Sequence, residues 1–101
     1  MKTKHFNHQK IWVFNGAQTQ FSGGVFDDLD KAEFWIKENK LTGLLTAYPL
    51  NQGTLDWAIE NNMVNMTPEK LAEKQQNPKF VAGFTSASME HYHYEEGERV
   101  S

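Results

Sequence analysis

The stretch Met89-Glu90-His91-Tyr92-His93-Tyr94-Glu95-Glu96 decides the fold. Its strict alternation puts His91, His93 and Glu95 on one face of an extended segment and Glu90, Tyr92 and Tyr94 on the other, because successive side chains of a strand point to opposite sides. Residues 89–95 read as the last strand of the chain, and the order of strands in the sheet is not readable from the sequence.

Working upstream, residues 79–84 read as extended and 85–88 as a kink or loop. Thr67-Pro68-Glu69-Lys70 is a helix start, with a capping hydroxyl and a proline at the first helical position, and Pro78 closes the short, polar helix that follows. Thr54 caps another helix, in which Leu55, Ala58 and Ile59 recur at i, i+3 and i+4 beside Trp57. Leu44-Leu45-Thr46-Ala47-Tyr48 is a strand stopped by Pro49. Asp27-Asp28-Leu29-Asp30-Lys31-Ala32-Glu33 opens a helix, with acids at the positive end of its dipole and Asp30 and Glu33 at capping-box spacing. Leu29, Ala32 and Ile36 form its apolar face, flanked by Phe34 and Trp35.

Ile11-Trp12-Val13-Phe14, ending at Asn15-Gly16, is a buried strand. A second strand runs through Thr19 and Phe21 to Val25 and Phe26, with Ser22-Gly23-Gly24 as a bulge or bend, and the two form a hairpin. The order is β-β-α-β-α-α-β. It predicts an α+β fold, a mostly antiparallel sheet of four or five strands with two or three helices on one face. The domain plan is a flexible basic arm at residues 1–9, a single α+β domain at 10–96 and a flexible tail at 97–101. If the last strand lies at a sheet edge it can pair with a second copy, which its charges oppose.

The chain has 101 residues, is 39% hydrophobic and 13% aromatic, and so supports one core built from few large side chains, Trp12, Trp35 and Trp57 among them. A net charge of −3 excludes the basic surplus of a nucleic-acid binder. The charge is polarised: Lys2, Lys4 and Lys10 precede any acid, whereas Glu90, Glu95, Glu96 and Glu98 face only Arg99. There is no cysteine, hence no disulfide framework or thiolate chemistry. No apolar run reaches the ~20 residues of a membrane span and no signal peptide is legible, so a cytoplasmic protein without membrane contact is expected.

Three site readings compete. His91, His93 and Glu95 can supply a facial His-His-carboxylate set, which would make the chain a small metal-dependent enzyme or metal-binding protein. His91 or His93 can act as a general base with Asp56, Glu90 or Ser88, although no G-x-S-x-G, HExxH or phosphate-binding glycine loop accompanies them. The third reading is favoured: an acidic, aromatic recognition surface for a protein partner, formed by Asp27, Asp28 and Asp30 with Glu90, Tyr92, Tyr94, Glu95 and Glu96, without catalysis or cofactor.

The segments Trp12-Val13-Phe14-Asn15-Gly16, Ser22-Gly23-Gly24-Val25-Phe26, Lys31-Ala32-Glu33-Phe34-Trp35-Ile36, Leu44-Leu45-Thr46-Ala47-Tyr48-Pro49, Asp56-Trp57-Ala58 and 84–95 together resemble a family of small, uncharacterised bacterial proteins of about this length. In size and class the chain is similar to immunity proteins that neutralise polymorphic toxins, including those of contact-dependent inhibition. That resemblance implies a binder that masks a toxin's active site, the toxin being a nuclease, with charge steering the encounter.

Overall fold

A computed structural model describes residues 9–101 of the chain; the basic arm at 1–9 thus falls, but for Gln9, outside the described residues. The fold is α+β, with the elements β1 (Lys10–Gly16), β2 (Ser22–Phe26), α1 (Leu29–Glu38), β3 (Gly43–Pro49), α2 (Thr54–Glu60), α3 (Pro68–Gln75), α4 (Pro78–Ala82), β4 (His91–Glu95) and β5 (Glu98–Arg99). They divide into two compact units, one made, among the described residues, of 9–50 together with 89–101, the other of residues 51–88.

In the first unit five strands form one antiparallel sheet in the order β2-β1-β3-β4-β5. β1 and β3 pair along their whole length, from Lys10 opposite Pro49 to Gly16 opposite Gly43. The period-2 pattern sends Trp12 and Phe14 of β1, Leu45 and Ala47 of β3 and Tyr94 of β4 into one core with Ala32 and Ile36 of α1. Ala32 and Ile36 lie one helical turn apart and are fully buried, so α1 packs along one stripe. Trp35 closes the β2 side of this core, edge-on to Phe14 at 5.6 Å between ring centroids and tilted against Phe26 at 5.3 Å.

The expected bulge is present. Phe14 faces Gly24 while Asn15 faces Ser22, so Gly23 is the extra residue that bends β2. The strand begins later than expected, at Ser22; Thr19 lies in the preceding loop, its hydroxyl donating to the Gly16 carbonyl at 2.9 Å.

At the helix ends, Thr67 caps α3, accepting from the Lys70 amide at 3.2 Å. Thr54 is not the cap expected of it. Gly53 holds that position and Thr54 is the first helical residue. Likewise Asp28 precedes α1 without a side-chain cap, and Glu33 is engaged elsewhere rather than in a capping box.

Two segments depart from the expected order for clear reasons. Residues 79–84 are not extended: Asn77 accepts from the amides of Lys79 (3.0 Å) and Phe80 (3.3 Å) with Pro78 at the first helical position, so Pro78 starts α4 as well as following α3. Residues 97–101 are not a loose tail. Glu96 (φ 50°) and Gly97 (φ 89°) make a two-residue turn with both central φ positive, the conformation that suits hairpin twist, and Glu98 and Arg99 return along β4. The Val100 amide extends this pairing to the His93 carbonyl at 2.8 Å. β4 is therefore an interior strand between β3 and β5, so the condition for pairing this strand with a second copy, an edge position, is not met.

The second unit holds α2, α3 and α4. Leu55 and Ala58 are its buried residues, Phe80 and Phe84 pack with ring centroids 5.7 Å apart, and the Lys74 ammonium lies 5.3 Å over the Phe80 ring.

Candidate functional site

The alternation in β4 puts the tyrosines and the histidines on opposite faces, and the core takes the tyrosines. Tyr94 is only 3% exposed, which corrects the expectation that its ring belongs to a recognition surface. Tyr92 is half-buried, stacked on Trp12 at 5.9 Å and 22° and covered by the Arg99 guanidinium at 3.8 Å from its ring centre. Strand periodicity sorts side chains into two sets but does not say which set faces α1; Tyr92 opposite Leu45 settles that.

Around these rings the polar side chains satisfy one another. Glu33, on α1, accepts on Oε2 from the Tyr94 hydroxyl (2.5 Å), from Arg99 Nε (2.9 Å) and from Arg99 Nη2 (2.5 Å). Burial alone would raise the Glu33 carboxyl, but the hydrogen bonds from Tyr94 and Arg99, with the Arg99 charge, outweigh it and hold the pKa below the ordinary value. Burial, and then the bond to Glu33, raises the Tyr94 phenol far above its usual range, so it stays neutral and donates.

Glu90 forms a second cluster. It accepts from Lys10 Nζ at 2.7 Å and from the Tyr92 hydroxyl at 2.6 Å, bonds that lower its pKa. Among the described residues no buried side-chain nitrogen or oxygen lacks a partner. Chemically this is a clasp: two carboxylates whose charge is held by these donors are poor proton acceptors, and they tie β1, α1, β4 and β5 together.

The opposite face of β4 carries His91 and His93, ring centroids 5.7 Å apart, with Glu95 exposed. Each imidazole is already engaged: His91 Nδ1 lies 2.6 Å from the Met89 carbonyl, which fixes a proton on that nitrogen, and His93 Nδ1 lies 2.8 Å from Ser101 Oγ. Among the described residues no group of three or more His, Asp and Glu is disposed to hold a metal, so the proposed His91, His93 and Glu95 ligand set is not assembled. Of the partners considered for a histidine base, Glu90 is taken by Lys10 and Tyr92, Ser88 is exposed, and Asp56 is exposed in the first turn of α2. A shallow groove of about 470 Å³ passes His93 and Glu95 between Asn15, Leu44 and Val100, and its walls are mostly apolar.

The remaining acidic residues are on the surface. Asp27 pairs with Lys31 at 3.4 Å, one helical turn on, and Asp28 and Asp30 are exposed at the start of α1. Beyond them Phe34 is 67% exposed, and with Asp30 and Glu38 at i−4 and i+4 it makes a continuous row along the solvent side of the helix. Among the described residues Asp30 and Glu38 form no ion pair, whereas Lys37 is held by Glu98 at 3.6 Å. Glu95 and Glu96 are exposed at the end of β4, the Glu96 amide donating to Thr42 Oγ1 at 3.0 Å.

Phe34 is the surface residue that sequence reasoning missed, having been placed beside the apolar face. The signal was present: at about 100° per residue, Phe34 lies about 200° from both Ala32 and Ile36, opposite the buried stripe. Glu33 and Arg99 were missed because nothing local announces a bond between residues so far apart in sequence.

Fold and site together define a small α+β protein built on a five-stranded antiparallel sheet, in which no helix among the described residues is long and apolar enough to cross a membrane. The chain belongs to the family described as "Domain of unknown function (DUF7710)", whose match covers residues 11–100. No curated protein and no solved structure is significantly similar to it.

Proposed function

We propose that this protein is a non-catalytic binding protein, an immunity protein that neutralises a polymorphic or contact-dependent inhibition toxin by covering the toxin's active site. The observation that carries the reading is the Asp30, Phe34 and Glu38 row on α1, an exposed aromatic set between carboxylates that form no ion pair among the described residues. Exposed aromatics surrounded by polar groups are the usual anchors of protein interfaces, and acids around one select a basic counterpart. A nuclease active site, which must attract phosphate, is such a counterpart. Support also comes from the clasp, whose carboxylates are occupied in holding the fold together.

The test is co-expression with the product of the adjacent reading frame. Growth arrest by that product should be relieved by this protein, and the two should co-purify. Phe34→Ala should weaken the complex by about 30-fold, the ~2 kcal/mol of an interface anchor, without unfolding a protein in which Phe34 is exposed. Unrelieved arrest with no co-purification would sink the proposal.

A further inference from the structure

The sheet has two edges of unequal character. β5 forms one of them with two residues, Glu98 and Arg99, both charged and both in ion pairs, which blunts it. β2 forms the other, and among the described residues no strand pairs with its outer side. From Gly16 to Phe26 there is no Lys, Arg, Asp, Glu or Pro, the residues that ordinarily protect an edge. Instead Phe21 is 77% and Val25 63% exposed.

We propose that the outer edge of β2 pairs with the same edge of a second copy of this chain, joining two five-stranded sheets across a two-fold axis at Val25. Self-pairing suits this segment. With Val25 opposite Val25 of the second copy, Gly24 faces Phe26, so the three residues in regular register bring no charged side chains together. The Gly23 bulge lies toward the end of the strand and leaves Gly24, Val25 and Phe26 in regular extended register. The blunted β5 edge determines closure. A β2-to-β5 contact would propagate into a filament or a larger ring, while β2 against β2 uses up both open edges and stops at two copies.

This inference does not depend on the toxin reading. It is tested by sedimentation of the full chain between about 10 and 500 µM, since a self-association shifts with concentration by mass action. The mass should rise from 11.7 kDa toward twice that value and no further. Val25→Lys, which sets two ammonium groups against each other on the axis, should remain monomeric with an unchanged circular dichroism spectrum. In the wild type, amide exchange in β2 should slow as concentration rises. A monomer at every concentration would overturn the proposal, as would a dimer that survives Val25→Lys with β2 exchange unaltered, or growth beyond two copies.

Discussion

Glu33 is the residue on which the interior of the sheet unit converges, because a single carboxylate oxygen receives a buried phenol from β4 and a guanidinium from β5. Removing it leaves the Tyr94 hydroxyl without an acceptor in a residue that is 3% exposed. Glu33→Ala should therefore cost about 1–3 kcal/mol, most of it the desolvation of that orphaned hydroxyl. Tyr94→Phe removes the orphan as well, so the double variant should lose clearly less than the sum of the two singles. A double-mutant cycle by urea denaturation measures the coupling, and strict additivity would refute the picture of a clasp. Legibility at this scale was mixed. Alternation paired the tyrosines and paired the histidines, yet burial of Tyr94 depends on which face α1 covers, and that is a tertiary fact.

At the scale of elements, those with strong local chemistry were readable and those built by tertiary contacts were not. β1, α1 and β3 follow from apolar periodicity, and the glycines at Ser22-Gly23-Gly24 announced their bulge. α4 is hidden in the sequence although Asn77-Pro78 repeats the cap-and-proline grammar of Thr67-Pro68, because the apolar Phe80 and Val81 favour a strand over a single helical turn. β5 was hidden because Glu98 and Arg99 have no strand propensity and form a strand only by pairing with β4.

The turn that makes β5 possible is testable. A Cβ on Gly97 would sit 3.2 Å from Lys37 Cα, from Lys37 O and from Lys40 Cα, at a φ of +89°. Gly97→Ala should lower stability by about 1–3 kcal/mol, a cost no floppy tail could impose. A melting temperature within a degree of wild type would contradict that turn.

For the molecule as a whole, the clasp predicts how stability responds to pH. Glu33 and Glu90 both ionise below the ordinary 4.5 in the folded protein. Such groups contribute fully above their unfolded pKa, and the contribution is lost as pH falls from about 4.5 through the lowered folded values. Tyr94 acts in the other direction: its raised phenol contributes below pH ~10 and that contribution is lost as the pH rises beyond it. Urea midpoints measured across pH should fall at both ends, and Glu33→Gln should flatten the acid limb. An acid limb as steep in that variant as in the wild type would remove Glu33 from the account.

The division into two units has a further consequence, for chain length. β3 and β4 are hydrogen-bonded neighbours, with the Ala47 amide 2.9 Å from the Glu90 carbonyl, and residues 51–88 are strung between them like beads on a closed ring. The entropy of closing such a ring grows only with the logarithm of its size, about 0.6 kcal/mol for each doubling. A flexible Gly-Ser insert after the exposed Asn62, as long as the segment itself, should leave the sheet unit folded with a loss near that figure, measured by urea denaturation. The same insert between Glu96 and Gly97 should abolish the β5 pairing. Among related chains, differences in length are then expected to collect between β3 and β4, and the sheet to keep its dimensions.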